Sequence, residues 1–589
     1  MKRPTTLATL LFLFVGVISL IAAGQGAQRQ GSITGRLTTE SGQAIANVGV
    51  FVRRVGSQTS VTRNVATDED GRFHADDLPP GSYTVSAFTP GYVPATESEQ
   101  PPTYRAGDSV TMRYTRGGVI TGTVTNAQGE PVVGVRVAAA RVRDSLGRVM
   151  RPATSGNSRV TDDRGVFRLF GLSTGTYIVQ AGGGAAWTSI YGSAFDGDAP
   201  TYYPSTTRDA AGEVSVRAGD ETTGIDIRYR ADQGYAISGT LSGTALSSTK
   251  SPMALIYLMH QSTGSMVSNT VVQVRDGARG FALTGVPDGE YDLVAQLNQT
   301  AGEDNVASLP RRVTVKGADV TGLSVELAPL GSITGRVVIE KLSESSAVAE
   351  CKERVGGTLD ETLISARRDE PPGKALAPFG FPSPEAGIDQ SGEFKISSLT
   401  PARYRIGTRL PSEHWYVRTI LGPGAGTKPS TAVSSQGISL SSGQRVTGLV
   451  VTIAEGAAAV RGKVTQPSAN SPLPERVRIY LVPAEPESAD DLLRYAEADV
   501  EASGVYLFTN IAPGKYYVLA REPAGEQITE RNARPLAWDA AARVSLRQQA
   551  TSVNQVIELG QCQRIVDREV RFTQSPGGTQ RPRRPRPPS

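Results

Sequence analysis

Three histidines, two cysteines and two acidic Asp-Gly phrases are the residues of this chain best suited to chemistry. A catalytic zinc needs about three nitrogen or oxygen ligands that converge, usually with closely spaced histidines. His74, His260 and His414 lie far apart, and none sits in a His-x-x-Glu or His-Glu-x-x-His phrase. There is also no Gly-x-Ser-x-Gly nucleophile elbow and no phosphate-binding loop. Thr67-Asp-Glu-Asp-Gly and Thr161-Asp-Asp-Arg-Gly open like calcium loops. A complete EF-hand loop carries Glu at its twelfth position, and counting from Asp68 gives Pro79 instead. The spacing therefore predicts Asp/Gly hairpin turns, with a loose surface calcium site as the alternative. No catalytic residue, metal ligand or cofactor is expected.

The elements that would position these residues repeat along the chain. An opening phrase recurs as Gly31-Ser-Ile-Thr-Gly-Arg-Leu, Gly118-Val-Ile-Thr-Gly-Thr-Val, Tyr235-Ala-Ile-Ser-Gly-Thr-Leu, Gly331-Ser-Ile-Thr-Gly-Arg-Val and Ala459-Val-Arg-Gly-Lys-Val. Its alternation is that of a half-buried strand. Gly35, Gly122, Gly239, Gly335 and Gly462 share a face with the apolar positions, which predicts close approach by another backbone or a large ring. A second phrase, Asp70-Gly-Arg-Phe then Leu78-Pro-Pro-Gly-Ser-Tyr in the first copy, ends on Tyr83, Tyr177, Tyr291, Tyr404 and Tyr516. From its first Gly to the Tyr is 12 residues in four copies and 11 in the third, so two strands joined by a fixed turn are expected. The Tyr ring should pack inward while its hydroxyl reaches a backbone partner. A third phrase comes next as a turn into a last strand; its copies begin at Ala106, Ala218, Lys316, Ser442 and, more weakly, Gln549. The only helical periodicity is a short polar stretch, Ala489 to Ala498.

These patterns predict an all-β chain, a tandem array of about five two-sheet β-sandwich modules. The expected boundaries are 31–116, 117–232, 233–329, 330–456 and 457–563, with a Pro/Arg-rich disordered tail over 564–589. The Ile-x-Gly-x-Val opening, the Asp-Gly-x-Phe turn and the Leu-Pro-Pro-Gly-x-Tyr closing phrase resemble carboxypeptidase regulatory-like domains. Those are related to transthyretin-like and collagen-adhesin B-type sandwiches and, structurally, to carbohydrate-binding-like folds. The resemblance implies a fold and leaves the function open, because such folds host unrelated roles. Collagen-adhesin B-type domains can carry a Lys–Asn isopeptide bond, which needs an inward Lys on the first strand. Here the first strands offer Arg36, Thr123, Thr240, Arg336 and Lys463, and Lys463 alternates outward.

Aromatic segments come after the Tyr strands of the second and fourth copies: Trp187 with Tyr191, then Tyr202 and Tyr203, and Trp415 with Tyr416. They are the first choice for a binding surface, since exposed rings stack on sugars or anchor protein partners. The alternative is that they pack over an open sandwich edge. Cys351 and Cys562 are the only cysteines and are expected to form one disulfide between the fourth and fifth modules. Lys2 and Arg3 precede the apolar run Leu7 to Ala23, and Ala22-Ala23-Gly24 offers a cleavage site. Residues 1–24 therefore read as a signal peptide, with an uncleaved anchor as the alternative. With 61 basic and 57 acidic residues the formal charge is +4, which gives no electrostatic case for nucleic acid. The expectation is an exported bacterial protein, secreted, periplasmic or at the cell surface, with no membrane span after signal removal. It would act without catalysis as a binding or spacer array at the cell envelope, its partner a glycan or an envelope protein. The rivals are carbohydrate recognition through the aromatic loops and an accessory chain of a separately encoded peptidase.

Overall fold

The computed structural model describes residues 31–56, 61–98, 101–183, 194–243, 253–274, 279–298, 305–342, 357–370, 385–423, 432–466, 472–531 and 533–574, with the side chains of 151–157, 298 and 526 left out. The expected signal segment and the last 15 residues lie outside them.

The first module is the template. Its strands are β1 (Gly31–Thr39), β2 (Gly49–Arg54), β3 (Thr62–Ala66), β4 (Arg72–Leu78), β5 (Ser82–Ala87), β6 (Tyr92–Pro94), β7 (Tyr104–Arg105) and β8 (Ser109–Arg116). One sheet has the order β4-β1-β8-β6 and the other β3-β2-β5-β7. All neighbours are antiparallel except β1 and β8. Because side chains alternate faces along a strand, Ile33, Leu37, Val50, Val52, Phe73, Tyr83 and Val110 meet between the sheets as one core. A comparable pair of sheets, with three to six strands each, recurs over 118–229, 235–329, 331–455 and 458–572. The buried members of each of the four further main cores come from one span alone.

Two contacts fix each frame. A Cβ on Gly35, Gly122, Gly239, Gly335 or Gly462 would fall onto a backbone carbonyl oxygen of the last segment of its module, from Val110, Ile225, Leu323, Leu449 and Arg568 respectively. The Phe73 ring crowds the same spot in the first module, so both forms of close approach predicted at this glycine occur. The repeated tyrosines are at most 2% exposed. Each hydroxyl donates to the carbonyl four residues earlier, on Pro79, Ser173, Pro287, Thr400 and Ala512, at 2.5–2.8 Å. The ring thus fills the core while its one polar atom is satisfied within the turn that precedes it.

The fifth module departs from the expected boundaries. A 14-residue helix, Ala540–Val553, separates its Tyr strand from the strand Val556–Leu559, and the Gln549 phrase forms the end of that helix. The last strand of the module is Arg564–Arg571, parallel to Ala458–Thr465. Residues 564–574 therefore belong to the sandwich rather than to the tail, and Val570 and Phe572 are buried in its core. The polar stretch around Ala489 holds 3-10 turns and then the strand Ala496–Asp499. Among the described residues no helix is long and apolar enough to cross a membrane.

Candidate binding cleft

The Asp-Gly phrases use their carboxylates locally. Asp68 Oδ1 accepts from the backbone N–H of Asp70 and Arg72, Asp162 Oδ1 from Arg164 and Val166, and Asp389 Oδ1 from Ser391 and Glu393, all at 2.7–3.0 Å. The preceding Thr67 and Thr161 hydroxyls donate to Ile45 and Val132 and accept from Val48 and Val135, tying the turn to a neighbouring segment. The Val166 N–H, joined by Arg164, holds the Asp162 carboxyl below the usual carboxylate range. These carboxylates are organised as hairpin caps, which is the turn reading of the sequence.

The histidines stay apart. His74 Nε2 lies 2.5 Å from Asp76 Oδ1 on an open surface. His260 is buried, its Nε2 3.4 Å from Asp209 Oδ1, and burial lowers its pKa. His414 accepts from Gly456 and Ala457 through its backbone carbonyl. No group of three His, Cys, Asp or Glu residues among the described residues could hold a metal ion. Lys463 points outward and is exposed, as its alternation requires.

Of the aromatic candidates, Trp187 and Tyr191 lie outside the described residues. Tyr202 is 4% exposed and Trp415 8% exposed. Burial pushes the Tyr202 hydroxyl up to about 12. Trp415 opens the strand Trp415–Leu421, which pairs with Arg445–Glu455 as β6 pairs with β8. Its ring joins the fourth core. Tyr203 and Tyr416 are half-buried. Neither Tyr202 nor Trp415 offers an open face for stacking, since both rings are buried. Cys562 is buried and takes its backbone bond from N–H to the Gly456 carbonyl, at the junction of the fourth and fifth modules; Cys351 lies outside the described residues.

The modules do not form a row in which each touches only the next. The first packs on the fourth: Gly387 N–H donates to the Gly56 carbonyl at 2.9 Å, the Ser82 hydroxyl donates to the Glu361 carbonyl, and Arg105 pairs with Glu361 at 3.7 Å. Arg409 adds a bond to the Pro101 carbonyl at 3.1 Å. This apposition leaves an open cleft of about 860 Å³ between the Arg54–Gly56 turn and the outer face of the fourth module. Arg54, Arg336 and Lys395 bring positive charge to it, and Asp360, Asp389 and Glu393 bring negative charge. Backbone at Gly56, Gly335, Gly387 and Gly448 forms part of the wall. Among the described residues that line it there is no histidine or cysteine, and its charged side chains and open backbone can hold a polar ligand by charge and hydrogen bonding. Sequence reasoning missed it because its walls, at Gly56 and Gly387, belong to modules that are not consecutive in the chain.

Residues 32–113 match the carboxypeptidase regulatory-like domain, the family that the repeated phrases resemble. Among curated proteins none matches by sequence. Similar solved structures include GBS52, the minor pilin of Streptococcus agalactiae, at 13% identity over 33% of this chain and 93% of that one, with a TM-score of 0.19. Two B repeat units of the collagen-binding protein of Staphylococcus aureus align at 12% identity over 72% and 100%, TM-score 0.13. The shaft pilin SpaA from Lactobacillus rhamnosus GG aligns at 12% over 33% and 95%, TM-score 0.16. At these scores the likeness carries no argument about function.

Proposed function

We propose that this chain, with a carboxypeptidase regulatory-like domain as its first module, is an exported, non-catalytic binding protein of the cell envelope. Its five sandwiches form a platform, and the cleft between the first and fourth modules seats a polar envelope ligand. The observation that carries this reading is the apposition of those two modules around a cleft lined by both charge signs. The carboxylates of Asp68, Asp162 and Asp389 cap turns, Asp389 at the edge of the cleft itself, and the three histidines lie apart, which supports binding over catalysis. The amino-terminal charge and apolar run support export. Folding back shortens the array, so a platform fits better than a long spacer.

Binding of the purified mature chain to a glycan array and to envelope extracts tests the proposal. Arg336→Ala with Lys395→Ala should weaken capture at least tenfold and do so increasingly at low salt, since these side chains are exposed. Unchanged capture by that variant, with loss on Trp187→Ala, would move the site to the aromatic loops of the second module.

A further inference from the structure

The fifth module carries an insertion that reaches three other modules. Its helix docks on the outer face of the module's own sheet, where Leu546 and Ala550 pack on Tyr480, Val482 and Leu519. Ahead of the helix, Gln527 ties the segment down: it accepts from the Tyr480 hydroxyl at 2.8 Å and donates to Glu497 Oε2 at 3.0 Å. The chain between these anchors is therefore held at a fixed place and presents Glu530 to Trp538 to its neighbours.

Arg531 is the first contact point. Its N–H donates to the Val149 carbonyl of the second module at 3.1 Å, beside a parallel bridge between Val149 and Glu530. Its guanidinium donates to the Ser98 carbonyl of the first module at 3.1 Å and lies 3.6 Å from Glu97. Glu97 in turn accepts from Arg141 of the second module at 2.5 and 3.0 Å. Three modules thus meet at one carboxylate whose side chain is 27% exposed, with Arg531 and Arg141 at 15% and 7%. Such partly buried, forked pairs are screened less than open ones.

Trp538 is the second contact point, on the fourth module. Arg367 and Arg405 lie over its ring with centroid distances of 5.3 and 5.5 Å. Arg367 also donates to the Ala533 carbonyl at 2.7 Å. Arg405 is held by Asp369 at 2.9 Å, and Arg534 of the insertion approaches the same carboxylate at 3.7 Å. Stacking and charge act together here, in a setting where cation–π contacts gain from partial desolvation.

We infer that this segment is a clasp: by holding the first and second modules through Arg531 and the fourth through Trp538, it closes the array and thereby forms the cleft between the first and fourth modules. Among the described residues the polar contacts between those two modules are a backbone bond at Gly56, the Ser82 and Arg409 bonds and one ion pair. A small set of contacts across two polar surfaces does not hold domains together without further support. The clasp supplies that support from a third side. This regulation of the cleft rests on the reading of the cleft as the ligand seat, but the closure itself does not.

Small-angle X-ray scattering of the full mature chain separates the two. A closed chain of this length should show a radius of gyration near ~25–30 Å, and a separated row roughly twice that. The wild type should be closed, and Arg531→Ala with Trp538→Ala should raise the radius by about a third or more while far-UV circular dichroism stays β-type. An extended wild type, or a folded double variant as compact as the wild type, would overturn the clasp. If the double variant does not fold, amide exchange in the wild type decides instead. The Arg531 and Gly387 N–H groups should be protected by their carbonyls on other modules, and rapid exchange at both would overturn closure. Closure without ligand capture would leave the clasp standing and reject only the ligand seat.

Discussion

The first and fifth modules share a frame and differ in the segment attached to it. Both place a glycine against the carbonyl of the last strand, and both bury a tyrosine whose hydroxyl returns to the carbonyl four residues back. After the Tyr strand they diverge. The first module turns at once into the short edge strand β6, which covers β8. The fifth inserts residues 525–554, whose helix covers an apolar outer face and whose leading segment grips three other modules. The frame leaves little room for such variation, because an added methyl at the glycine meets backbone and a lost ring empties the core. The segment after it leaves the core untouched, so it is free to carry the contacts that organise the whole chain.

The sharpest way to break this comparison is to attack the frame in both modules. Tyr83→Ala and Tyr516→Ala should each destabilise their module by about 3–5 kcal/mol, the range for truncating a large buried aromatic. Denaturant titration of each variant, tracking local exchange, reads this directly. A loss below about 0.5 kcal/mol in either module would show that its ring does not hold the sheets together. Next in size is the proposed Cys351–Cys562 bridge, which would tie the fourth module to the fifth. In the chain-entropy model closing so long a loop contributes at most about 5 kcal/mol, and strain brings it below that. Non-reduced peptide mapping should find the linked pair, and two free thiols would leave the junction to noncovalent contacts.

A pH series sharpens the same comparison. Burial raises the pKa of all five repeated tyrosines, with Tyr177 pushed up to about 12. A group whose pKa is higher when folded contributes stability that is complete below its unfolded value, near 10, and that fades as pH rises through the folded one. Stability should therefore fall between about pH 10 and 12, with tyrosinate absorbance appearing together with unfolding. Tyrosinate at these five positions while the sheets remain intact would mean their hydroxyls are open to solvent. The smallest effect belongs to Tyr177→Phe, which keeps the ring and removes one hydrogen bond, at a cost of about 1 kcal/mol.

The frame was legible because its residues recur at fixed spacing. Both the inward ring and the bonded hydroxyl are implied by a Tyr that begins a strand behind a Pro/Gly turn. The helix of the fifth module was not legible, since it buries only Leu546 and Ala550 and so shows almost no apolar periodicity. Two local signals were present: Asp539, whose side chain caps the Ala542 N–H, and the left-handed Asn554 at its end. A further signal lies in the strand Arg478–Pro483, apolar at five successive positions and buried on both faces, which implies a cover on its outer side. The last strand escaped notice because Arg564–Arg571 is mostly charged and Val570 is its one fully buried side chain. The cleft and the clasp had no sequence signal. They are built from single residues scattered over strands and loops of different modules, and only the fold brings Glu97, Arg141 and Arg531 together.

The central claim is that each module is a complete sandwich held by its own glycine and tyrosine contacts. Thermal unfolding of the excised first module, residues 31–116, tests it most directly. A β-type circular dichroism spectrum and a single cooperative transition are expected. A disordered spectrum, or a gradual loss of signal without a transition, would contradict it and make the frame dependent on its neighbours.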